Sequence, residues 1–202
     1  MYALVAGLLF SAITHAQDCS GDRYYEQIFN NTTQQLNVKY GENYRQDGNT
    51  VEELFLDVYM PEGDTDTDRP VILLAHGGSF VGGSRADIAD NCRAFAKLGY
   101  VTVSMSYRLL EITTEVFINP GLEFQKEVVR SMHDMRAAIR FLRKTVAEDN
   151  NPYGINPNII IVGGYSAGAI LANHATYMDE QSEIPAELAS YVAQQGGLAG
   201  LS

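Results

Sequence analysis

Residues 162–170 read VGGYSAGAI and contain Gly164-Tyr165-Ser166-Ala167-Gly168, a G-x-S-x-G pentapeptide straight after an apolar run. That pattern hands a serine from a strand to a helix through a sharp, strained turn. The helix packs close to the strand, and Gly164 and Gly168 supply the room. Such a turn lifts the Ser166 hydroxyl out of the sheet. It also leaves the amide of Ala167 at a helix N-terminus, aimed at whatever the serine attacks. A serine hydroxyl is a poor nucleophile until a base takes its proton, so the chemistry also requires a histidine. Taken alone, the pentapeptide is equally compatible with an ordinary glycine-rich turn capped by a serine.

A second stretch separates the two readings. His76-Gly77-Gly78-Ser79-Phe80 follows the apolar run Val71–Ala75, and Gly82-Gly83 come just after. Attack on a carbonyl builds negative charge on oxygen, which backbone amides stabilise; losing one donor of this kind costs about 3 kcal/mol. Glycines let the backbone come close and turn its amides inward. An H-G-G segment after one strand, with G-x-S-x-G after a later one, is the pairing used by lipases and esterases.

The elements that must position these motifs follow from periodicity. Gln34–Tyr40 and Glu52–Tyr59 read as strands, the second with Leu54, Leu56, Val58 and Met60 on one face. Val71–Ala75, the valine-rich Tyr100–Met105 and Asn158–Val162 read as strands, the first and last as runs buried on both faces of a parallel sheet. Asp87–Leu98 and Ala167–Met178 read as helices. Glu123–Val146 is the clearest helix, with Phe124, Val128, Met132, Met135, Ile139, Leu142 and Val146 in one stripe. Alternating strands and helices predict an α/β fold with a mostly parallel sheet and flanking helices. After Met178 the sequence offers no closing element.

The stretches LLAHGGSFVGG, GYVTVSMSYRL, DMRAAIRFLRK and YGINPNIIIVGGYSAGA, within residues 50–180, resemble the carboxylesterase branch of the α/β-hydrolase fold. That branch includes type-B carboxylesterases and hormone-sensitive-lipase-like esterases. The resemblance implies an α/β-hydrolase fold with Ser166 as nucleophile. It implies oxyanion donors in the amides of Gly77, Gly78, Ser79 and Ala167, with His76 bracing the loop rather than acting as base. Many relatives have a third glycine where Ser79 stands; a serine still offers its amide. Tyr107-Arg108 also matches a family segment, with a structural role. No metal and no organic cofactor is implied.

In this branch the acid and then the histidine follow the serine, on loops after later strands. The only histidine after Ser166 is His174, eight positions on. At about 1.5 Å rise per residue it lies about 12 Å along the same helix, whereas a base must come within about 3 Å. His133, beside the apolar stripe of the long helix, reads as structural, and His15 falls in the leader. Asp179 comes too early to be the acid. The expectation is therefore an incomplete α/β-hydrolase domain, cut after the nucleophile helix, with a raw sheet edge.

The chain has 202 residues, net charge −11 and 46% hydrophobic residues, which fits one domain with a real core. So acidic a surface argues against nucleic acid as a partner. Leu4–Ile13 has the length of a signal-peptide core and is too short to span a membrane. Residues 1–16 are read as a leader cleaved before Gln17 and 17–202 as the domain, secreted or periplasmic with no span after processing. No Lys or Arg precedes that core, and the first is Arg23. Cys19 and Cys92 could pair in an exported protein. Asp64, Asp66 and Asp68 imitate the start of a calcium loop but lack its glycine and glutamate, and read as a solvated loop. The favoured activity is hydrolysis of a small-molecule or polymer-linked carboxylic ester. The alternatives are an amidase or arylformamidase on the same fold, or a non-catalytic binding module.

Overall fold

A computed structural model describes residues 21–198; the leader read at 1–16 and Cys19 lie outside them. Five strands form one sheet: β1 (Thr32–Tyr44), β2 (Val51–Pro61), β3 (Arg69–Ala75), β4 (Val101–Met105) and β5 (Ile155–Gly164). Their spatial order is β1-β2-β4-β3-β5. β2 is antiparallel to both β1 and β4, while β3 is parallel to β4 and β5. Only β2 is therefore reversed, and the sheet is mostly parallel as the sequence predicts.

The described residues also form five α-helices: α1 (Ala89–Lys97), α2 (Thr114–Ile118), α3 (Pro120–Glu148), α4 (Ala167–Tyr177) and α5 (Ala189–Gln194). Side chains alternate across the sheet. Val71, Leu73, Val101, Val103, Leu56 and Val58 face Met132, Met135 and Leu142 of α3 and Leu171 of α4 in one core. Tyr59 and Leu74 face the other way, onto Ala89, Cys92 and Ala96 of α1. Cys92 is a free, fully buried thiol, and burial pushes its pKa up to about 12.

The expectation of a fully buried β5 is corrected. Ile160 and Val162 pack on the α3–α4 core, but Ile159 and Ile161 are 45% and 48% exposed. They belong to the face that α1 covers, and α1 reaches only the other strands. The two sheet edges differ in kind. β1 carries two register breaks and a Lys39 that bridges Glu42 and Glu53 at 2.7 Å, features that discourage further pairing. β5 carries no charged residue from Ile155 to Gly164.

Two other expectations change. Two single-turn helices, Gln181–Glu183 and Ala186–Leu188, lead into α5 and set Ile184, Leu188 and Val192 against Val129 of α3. A closing element thus exists, built from apolar residues too scattered to show a period. Asp64 is not solvated. It is buried between Arg23, at 2.6 Å, and Arg69, at 3.5 Å, and the Arg69 guanidinium also donates to the carbonyls of Tyr153 and Gly154. The acidic loop anchors the N-terminal segment and the start of β5.

The helix α3 is buried on two sides. Its polar side holds Arg108, which donates to Asp134 through its main-chain amide at 2.9 Å and through its guanidinium at 2.7 Å. The same guanidinium reaches the carbonyls of Tyr44 and Arg130. One buried arginine so joins the β1–β2 hairpin, the segment after β4 and α3. Nearby, Glu127 pairs with Arg130, yet burial still pushes its pKa up to about 7.

His133 is fully buried on α3, and burial, with Arg108 and Arg136 nearby, holds its pKa down to about 4. A histidine depressed in the folded state contributes stability that is fully present above its unfolded pKa of about 6.5. That stability is lost as pH falls toward 4. Glu127, raised in the folded state, works in the opposite direction over the same range. Comparison of His133→Leu with the native chain isolates the histidine. In urea unfolding, their stability difference should move by about 3 kcal/mol in favour of the variant between pH 7 and pH 4. A difference that does not change with pH would show that His133 is not buried in its neutral form.

Candidate active site

The glycine-rich loop and the serine turn leave the same edge of the sheet. β3 and β5 are neighbours in parallel register, with Ala75 beside Gly164. The two segments following these strands must therefore emerge side by side. This is also the carboxyl end of the strands, where open α/β sheets bind their ligands.

Ser166 has φ 53° and ψ −115°, a conformation that costs a residue with a side chain about 1–3 kcal/mol. Close packing holds it there. A methyl on Gly164 would lie 2.5 Å from the carbonyl carbon of Gly168 and 2.6 Å from the carbonyl oxygen of Ala75. A methyl on Gly168 would overlap the Ala75 carbonyl outright. The Tyr165 amide donates to Ala75 O at 3.2 Å, and Ala169 N donates to Ser166 O at 2.9 Å as the helix begins. Ser166 is exposed, while Ala167 is buried. This is the strand–turn–helix arrangement that the pentapeptide predicts.

Gly77 lies directly against this turn. A methyl there would stand 3.3 Å from Ser166 Cβ and 3.0 Å from the Tyr165 ring. Two motifs 90 residues apart in sequence are therefore in contact. Within the loop, Gly78, Ser79, Phe80 and Gly83 all have positive φ: 117°, 54°, 63° and 93°. Ser79 takes a backbone conformation that glycine would adopt without strain. Val81 N and Gly82 N both donate to Gly78 O, at 3.0 and 3.1 Å. Phe80 is buried, and its carbonyl accepts from Leu110 N at 2.7 Å.

His76 is buried at the root of the loop with Nδ1 2.7 Å from Gly77 O. A carbonyl only accepts, so Nδ1 carries the proton. Burial lowers the imidazole pKa below its usual value, so the ring is neutral at pH 7. The Tyr107 ring stacks on it at 4.4 Å, and the Tyr107 hydroxyl donates to His76 O at 2.8 Å. Among the described residues, no carbonyl accepts from the amides of Gly77, Gly78, Ser79 or Ala167.

None of the other described histidines serves the serine. His174 sits in α4 with Nδ1 donating to Ile170 O at 2.8 Å, and His133 is buried on α3. Sequence reasoning assigned Tyr107 a structural role and set Phe80 and Gly83 in or beside the loop, but it did not show that these three shape it. Gly83 packs so closely on His76 that a methyl there would stand 2.5 Å from Nδ1. The visible signals were the Gly82-Gly83 doublet and a tyrosine two residues past a buried strand. A cavity of about 610 Å³ lies beside the turn on the α1 face, lined by Leu74, Gly77, Ile88, Phe95 and a 75% exposed Tyr165.

This combination of a mostly parallel sheet, strained serine turn and glycine-rich loop defines the α/β-hydrolase fold as esterases use it. The BD-FAE family profile matches residues 56–197, and the chain belongs to that family. It is 28% identical over 135 residues to fumonisin B1 esterase of Sphingopyxis macrogoltabida, covering 66% of this chain and 24% of that protein. It is 31% identical over 125 residues to the non-reducing polyketide synthase pkbA of Emericella nidulans, covering 59% and 4%. The apo form of Thermogutta terrifontis esterase 2 superposes with a TM-score of 0.54 at 25% identity, covering 76% of this chain and 51% of that one. The same esterase has also been solved phosphonylated by cyclosarin. The chain spans a quarter or less of these curated relatives and about half of the solved esterase.

If the turn is strained at Ser166, Ser166→Gly should relieve it and Ser166→Ala should not. Allowing for the extra entropy that glycine loses on folding, Ser166→Gly should be stabilised by about 1 kcal/mol relative to Ser166→Ala. Urea midpoints of the two variants measure this. Equal midpoints would mean that the turn relaxes once the serine side chain is gone.

Proposed function

We propose that this chain supplies the nucleophile and the oxyanion site of an exported serine esterase acting on a small-molecule or polymer-linked carboxylic ester. The observation that carries the reading is the contact between the strained Ser166 turn and Gly77, with unpaired amides on both sides of the serine. In this reading Ser166 Oγ attacks the ester carbonyl carbon and gives its proton to a base. The carbonyl electrons move onto oxygen, and the amides of Gly77, Gly78, Ser79 and Ala167 donate hydrogen bonds to the resulting oxyanion. Collapse expels the alcohol, which takes the proton back from the base, and leaves an acyl group on Ser166. Water repeats the sequence and frees the acid. His76 holds the loop in its neutral form throughout, and no cofactor is required.

The acid and the base come from outside the described residues. Two observations support this: His174, His133 and His76 are each committed elsewhere, and the β5 edge is apolar and unprotected. A sheet continuing past β5 would cover Ile159 and Ile161 and bring further strand ends beside Ser166. Residues 1–16 act as the export leader.

Hydrolysis of p-nitrophenyl butyrate tests the reading. Residues 17–202 alone should cleave it no faster than their Ser166→Ala variant. The longest chain expressed from the same gene should cleave it at a rate that Ser166→Ala reduces at least about a thousandfold. An organophosphonate should add to that longer chain at Ser166, read by peptide mass. Undiminished hydrolysis in the Ser166→Ala variant, or phosphonylation elsewhere, would sink the assignment. A Ser166-dependent rate from residues 17–202 would place the base within this chain.

A further inference from the structure

We infer that Tyr107 is a positioning residue that aims the first oxyanion amide; the inference rests on the nucleophile reading above. The argument is one of peptide geometry. In a trans peptide the carbonyl of one residue and the N–H of the next point in opposite directions across a rigid plane. Among the described residues every peptide bond is trans. Fixing a carbonyl therefore fixes the next amide.

The loop uses this rule three times in succession. The Tyr107 hydroxyl holds His76 O at 2.8 Å, which turns the Gly77 N–H the opposite way. His76 Nδ1–H holds Gly77 O at 2.7 Å, which turns the Gly78 N–H. Val81 N and Gly82 N hold Gly78 O, which turns the Ser79 N–H. Each of the three amides is unpaired, and each has a dedicated donor on the carbonyl that precedes it. The last two donors lie within the loop itself. The first comes from another strand's end, 31 residues away.

Tyr107 also touches several parts of the loop at once. Its ring stacks on His76 at 15° between planes, and Phe80 meets its edge at 6.1 Å. Three residues on, Leu110 N holds Phe80 O at 2.7 Å. The segment after β4 thus grips the loop at its root and at its middle, and leaves residues 77–79 open. Burial raises the Tyr107 pKa above its usual value, so the hydroxyl keeps its proton and remains a donor. Removing only that hydroxyl leaves the stack intact and frees the His76–Gly77 peptide to rotate.

Tyr107→Phe is the test, read first by backbone 15N relaxation. The order parameter of the Gly77 amide should fall from the rigid range of about 0.85 to below about 0.6, while Ala167 and the core amides of Val103 and Leu73 keep their native values. A uniform fall across all these amides, or none at Gly77, would overturn the proposal and leave Tyr107 as ordinary core. In the longest chain from the same gene, Tyr107→Phe should lower kcat about tenfold or more on p-nitrophenyl butyrate at nearly constant KM. A raised KM with kcat intact would likewise overturn it. Failure of the nucleophile reading would look different: no Ser166-dependent hydrolysis in either form, with the relaxation result standing by itself.

Discussion

The structure depends on a single close approach. Helix α4 begins so near the end of β3 that no side chain fits at Gly164 or Gly168, and the Ala75 carbonyl fills the space. This contact forces Ser166 into its strained conformation and orients the first turn of α4. It also presses Gly77 onto the serine. The register Ala75–Gly164 makes it possible, because parallel neighbours end at the same edge. A one-residue slip would exchange the two faces of β5 and dismantle the whole arrangement.

Rigidity at this edge is provided by groups that take no part in the chemistry. Arg108, Tyr107 and Leu110 come from one continuous segment after β4, and they tie respectively to α3, to His76 and to Phe80. That segment works as a strut between the long helix and the glycine-rich loop. Polar groups buried this deeply are costly unless paired, and the pairing is extensive: Arg108 spends its donors on Asp134 and two carbonyls. The unpaired amides of residues 77–79 stand out against this background.

The two flanks of the sheet have contrasting physical characters. The β1 edge is twisted by register breaks and salted with charges, as natural edges are. The β5 edge also has one register break against β3, near its start, but it is uncharged and bordered by exposed isoleucines and Tyr165.

Much of the local order was legible in the sequence. The apolar runs located β3, β4 and β5, the stripe from Phe124 to Val146 located α3, and G-x-S-x-G located the turn, because each depends on neighbours within a few residues. Boundaries shifted: β5 begins at Ile155 and α3 at Pro120, where the Arg69 contacts and the Asn119 cap decide. α2 and α5 went unseen because helices this short have no period of their own and form only by packing. The solvated reading of Asp64 failed because its partners, Arg23 and Arg69, are brought to it by the fold. By itself the sequence determined which residues could do the chemistry, since residue type and tight glycine spacing are local facts. Only the tertiary structure decided that Gly77 touches Ser166 and that a tyrosine 31 residues from His76 holds its carbonyl. Those are set by strand order and register, which couple residues far apart in the chain and leave no trace in local spacing.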